Sequence, residues 1–160
     1  MHQPLLHQLA QVNVARLKYP IDDPRVAGFV KNIEKVNSVA DRSEGFVWRL
    51  QDDGNHALDV VFEDDNPMLI VNMSVWETPE HLEKFVWQTV HKQVYKKKNE
   101  WFEALGKMHL ALWWVKIGHQ PSIEEAKDRL KHLNEYGSSD TAFGWDYLPN
   151  VKLWQKEHCA

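Results

Sequence analysis

His91 stands four residues after Trp87 and three before Val94, in a stretch whose apolar residues recur at helical spacing. An imidazole titrates near neutral pH and suits a general acid or base. The plainer role is a boundary histidine bonded to backbone or to a neighbouring side chain. Asn13 and Asn72 each interrupt an apolar, strand-like run. A buried amide without partners costs about 1–3 kcal/mol. Each must therefore hold a substrate carbonyl or bond the other as a structural pair. Asn37 poses the same question from a helical stripe. Arg49 follows Trp48 in an apolar setting and needs a carboxylate or an anionic ligand. It could clamp a substrate carboxylate or form a salt bridge at a sheet edge or across a dimer. Trp48, Trp76 and Trp114, with Trp87 beside His91, could wall a flat ligand, although such residues more often fill cores.

Other chemistries have no support in the pattern. The nine histidines form no H-E-x-x-H and no i,i+4 pair for a zinc face. There is no P-loop, no G-x-G-x-x-G and no G-x-S-x-G elbow. Cys159 is the only cysteine, so neither an internal disulfide nor a paired-thiol metal motif can form. Lys96, Lys97 and Lys98 lie near Glu100 and read as a solvated face.

The elements that position these residues are legible from periodicity. Residues 8–16 alternate, with Ala10, Val12 and Val14 on one side and Gln11, Asn13 and Ala15 on the other. Asp23-Pro24 caps a first helix that runs to about Asp41 and is stopped by Ser43-Glu44-Gly45. Residues 46–51 and 68–76 are strands, and 58–63 is ambiguous. Thr78-Pro79 opens a long second helix whose stripe runs from Leu82 to Trp101 and Leu105, with a bend near Lys96. Residues 109–117 make a fourth strand. Ser122 and Glu125 start a third helix that Gly137 ends. The tail, 138–160, carries Phe143, Trp145, Tyr147, Leu148 and Trp154. So many aromatics predict that it packs on the body of the protein.

The chain has 160 residues, 43% of them hydrophobic, and a formal charge of −4. That suits one domain, with a core at about 8–118 and an appended helix and tail at 119–160. The net charge argues against a nucleic-acid partner. No run approaches the roughly 20 apolar residues of a membrane span. The N-terminus reads as no signal peptide, so cytoplasmic residence is the expectation. The order strand, helix, strand, strand, helix, strand is the split unit of an α+β, ferredoxin-like fold with a four-stranded antiparallel sheet. Two helices cover one face. The strands are apolar on both, so a second copy is expected to cover the other as a homodimer.

The segments GFVWRL, LIVNMSVWE, FVWQTVHKQV, EWF and LALWWVKIGHQP resemble a bacterial domain family of uncharacterised function in the dimeric α+β barrel superfamily. That superfamily also holds antibiotic-biosynthesis and haem-degrading monooxygenases. The resemblance implies a cleft between helices and sheet for a small apolar or aromatic molecule. His91 is similar in placement to the proximal haem ligand of the haem-degrading members. The cofactor implied is thus none or haem, with iron on His91. Two functions follow: a monooxygenase-like small-molecule enzyme, or a non-catalytic binding or interaction dimer.

Overall fold

The computed structural model describes residues 2–52, 54, 56–58, 60–63, 66–90, 93–94 and 97–151. His91, Lys96, Trp154 and Cys159 lie outside the described residues. Five strands form one sheet: β1 (His7–Leu17), β2 (Phe46–Arg49), β3 (Leu69–Trp76), β4 (Phe102–Glu103) and β5 (Leu110–Lys116). The order is β2-β3-β1-β5, every pair antiparallel, with β4 added beside the end of β1. That is the ferredoxin-like connectivity. It is enlarged by β4, which exists because the chain leaves its helix at Trp101 and turns extended at Phe102.

The helices start where the sequence puts their caps. The Asp23 carboxylate accepts from the Arg25 N–H, a 3-10 turn follows at Pro24–Val26, and α1 spans Ala27–Asp41. Thr78 Oγ1 accepts from the His81 N–H to open α2 (Pro79–Phe85). The long second helix does not continue regularly. Val86–Val90 forms a π-helical turn, and α3 is a short piece, Lys98–Trp101. Leu105 lies beyond it and packs on the opposite face of the sheet. Ser122 Oγ accepts from the Glu125 N–H at 3.1 Å to start α4 (Ile123–Tyr136), and Gly137 closes it at φ 76°. The Glu125 side chain does not complete a capping box. Its carboxylate accepts from Trp113 Nε1 at 3.0 Å and meets His119 Nε2 at 2.7 Å, which pins α4 to β5.

Both faces of the sheet are covered from within the chain. Ala10, Val12, Val14, Val71, Met73, Val75, Ala111, Trp113 and Val115 are buried beneath Ala126, Leu130 and Leu133 of α4, with Phe62 and Trp48 beside them. The face expected to stay bare for a second copy carries the appended helix. The appended helix removes that apolar area from water. The other face meets α1 and α2 in two separate clusters. One joins Leu9, Trp76 and Leu112 to Ala40 and Leu82. The other joins Leu17 and Ile70 to Val26, Phe29 and Trp101. The tail packs as expected as far as it is described: Phe143 exchanges backbone hydrogen bonds with Leu112 at 2.8 and 2.9 Å and is fully buried.

Candidate functional site

Between those two apolar clusters the helix-covered face of the sheet turns polar. Asn13 and Asn72 are direct partners across β1 and β3, so the two amides share one surface. One step along, Gln11 pairs with Ser74. Gln11 Nε2 donates to Asn72 Oδ1 at 2.7 Å and to Ser74 Oγ at 2.8 Å. Trp76 Nε1 also donates to Ser74 Oγ, at 2.9 Å. Gln11 and Ser74 are buried, while Asn13 and Asn72 are exposed. Strand residues in the middle of a helix-covered face are exposed only where the helices stand off. The floor of a crevice is therefore built from neutral amides and one hydroxyl, walled at both ends by apolar clusters.

Arg49 reaches this floor through a β-bulge. Phe46 pairs with Trp76, but Trp48 pairs with Val75 and Arg49 with Ser74, a register shift at Val47. Two residues oppose one there, and side-chain parity flips. Simple alternation puts Phe46 and Trp48 on one face. The bulge instead separates them, and places Arg49 in the row of Ser74 and Gln11. Its guanidinium is 6% exposed and donates to Asp41 of α1 at 2.8 and 3.2 Å. The edge salt bridge is thus present, and it holds the cation that a substrate carboxylate would need.

Asn13, Asn72, Arg49 and Trp76 thus come together. Trp76 is fully buried and stacks on Phe85 with ring centroids 5.0 Å apart. It frames one end of the crevice. Trp48 is on the opposite face, in the core under α4, and lines nothing here. Trp114 packs against Phe143 and lines a separate depression of about 70 Å³ beside Pro79, Leu148 and Val151. Trp87 is half-buried within the π-helical turn. His91 follows that turn in the chain but lies outside the described residues. Gln11 and Ser74 were not singled out in the sequence. Their signal was parity: each stands two residues from an asparagine on the same strand face.

A haem needs an apolar slot, an axial donor and cations for its propionates. The described crevice offers a polar floor, and Arg49 is already held by Asp41, so these residues do not fit one. Among the described residues no cluster of three or more His, Cys, Asp or Glu could hold a metal ion. No helix among them is long and apolar enough to cross a membrane.

A family profile described as a domain of unknown function, DUF3291, matches residues 8–159. The chain belongs to the DUF3291 family. No curated protein matches this DUF3291 chain. Among solved structures, a protein of unknown function from Nitrosomonas europaea is similar at 7% identity and TM-score 0.46, covering 74% of this chain and 97% of its own. A candidate antibiotic biosynthesis monooxygenase from the same organism is similar at 12% identity and TM-score 0.41, covering 76% and 100%. A NIPSNAP family protein of unknown function from Agrobacterium tumefaciens is similar at 11% identity and TM-score 0.41, covering 77% and 99%. Likeness at these levels says nothing about activity.

Proposed function

We propose that this DUF3291 chain is a small-molecule enzyme of the monooxygenase-like type, acting on a neutral apolar or aromatic substrate in the helix–sheet crevice. The observation that carries the reading is the pair of exposed amides, Asn13 and Asn72, on a sheet face otherwise sealed by helices. Such groups recognise carbonyl or hydroxyl groups, while the flanking clusters shelter apolar surface. The irregular turn at Val86–Val90 supports it, since π-turns are frequent at functional sites. In this reading His91 is the acid or base. Reaction without a cofactor needs an electron-rich substrate that itself reduces oxygen.

A binding module without turnover is the second reading. It is favoured by the floor, whose described groups are neutral apart from an ion-paired arginine. One experiment separates the two. Oxygen uptake is followed with electron-rich dihydroxynaphthalenes, and binding is followed from the asparagine side-chain NMR signals. Uptake lost in His91→Ala with binding kept supports the enzyme. Binding with no uptake leaves the module, and undisturbed Asn13 and Asn72 signals dispose of the crevice altogether.

A further inference from the structure

Of the four buried residues of α1, Phe29, Val36, Asn37 and Ala40, only Asn37 is polar. It is 7% exposed and makes no side-chain hydrogen bond to a described residue, yet its amide is not among the sealed, unpartnered groups, Gln8 Oε1 and Arg16 Nε, so the amide reaches solvent. An amide that meets solvent instead of a protein partner on the core-facing stripe of a helix, where a leucine would bury apolar surface, calls for a reason.

The position of Asn37 supplies one. Along α1, Phe29 and Ile33 pack with Leu17 and Ile70, and Ala40 packs with Leu9 and Trp76. Helix α1 and strand β3 therefore run in the same direction across the face. Asp41, one turn after Asn37, bonds Arg49, which shares a row with Ser74. One helical turn advances about 5.4 Å. Two strand residues advance about 6.6–6.8 Å. Stepping back a turn from Asp41 to Asn37 thus corresponds to stepping from Ser74 to Asn72. Asn37 stands above the row of Asn72 and Asn13, on the helix side of the gap.

We propose that Asn37 is a ligand-binding residue that closes on a guest from above while Asn13 and Asn72 hold it from below. This rests on the crevice being a binding site. It adds a substrate class: a neutral molecule with hydrogen-bonding groups on two opposed edges. Charge is not wanted, because among the described residues every unengaged polar group here is an amide and Arg49 is paired.

The test uses the full chain and two probes, coumarin, with a carbonyl on one edge, and 7-hydroxycoumarin, which adds a hydroxyl on the opposite edge. Titration calorimetry at about pH 6 keeps the hydroxyl neutral. The wild-type chain should bind 7-hydroxycoumarin about tenfold more tightly, one neutral hydrogen bond's worth. Asn37→Leu should erase that preference, leave coumarin binding intact, and raise Tm by about 2–4 °C. A preference that survives Asn37→Leu overturns the inference, as does a fall in Tm, which would mean that the amide has a structural partner. Binding that shifts the Asn13 and Asn72 signals but ignores Asn37 sinks the inference alone. No binding of either probe sinks the crevice reading with it.

Discussion

The Arg49–Asp41 pair decides what kind of molecule the crevice accepts. Arg49 is buried and Asp41 is 42% exposed, so the pair sits at the boundary of the site. A guanidinium with its carboxylate in place repels no neutral guest and attracts no anion. Removing the carboxylate should change both stability and selectivity. Asp41→Ala is expected to cost about 1.5–3 kcal/mol in urea unfolding, the range for a hydrogen bond to a charged group. It should also let the crevice bind 2-naphthoate, which the wild-type chain should refuse. Equal refusal by both proteins would show that Arg49 does not face the guest. The sequence showed that Arg49 needed an anion. It could not show which, because the bulge at Val47 is a backbone event with no residue signature.

The elements were legible wherever local chemistry specifies them. Asp23-Pro24, Thr78-Pro79 and Ser122 cap helices as their side chains dictate, and the alternation of residues 8–16 marks a strand. The pairing of Asn13 with Asn72 followed from fold order alone. What failed depended on distant contacts. The second helix passes into a π turn at Val86–Val90 although its apolar stripe continues to Trp101, and Val94 and Trp101 pack in the Phe29 cluster rather than with Leu82 and Phe85. One junction between elements is tight. Gly45 (φ +80°) lies so close to His81 that an added Cβ would sit 2.2 Å from the ring Cγ. The Gly45 carbonyl accepts from the Glu77 N–H at 2.7 Å. Gly45→Ala should therefore destabilise by at least about 1–3 kcal/mol from backbone strain alone. Thermal melting reads this directly, and a shift within error would show that the α2 start can yield.

At the scale of the whole molecule, α4 covers the sheet face that was expected to be bare. A sequence reading could see that the sheet was apolar on both faces. It could not assign the cover, since Ala126, Leu130 and Leu133 make a stripe that fits any flat apolar surface. Leu130→Glu puts a carboxylate into that contact and should unseat α4, exposing Val12, Met73 and Trp113. Light scattering should then find association beyond that of the wild-type chain. Unchanged mass and unchanged stability would mean that α4 is not what shields the sheet.

The central strand has a further consequence. β1 is made first, yet its two neighbours come much later, and 93 positions separate Leu17 from Leu110. At a ribosomal pace of roughly 5–20 residues per second, β1 waits about 5–20 s for β5. Until then Val12 lacks its second mate, Ala111, and the α4 residues that roof Val12 and Val14 come later still. A nascent chain of this design is most vulnerable in its middle age, and its rescue arrives with its last third.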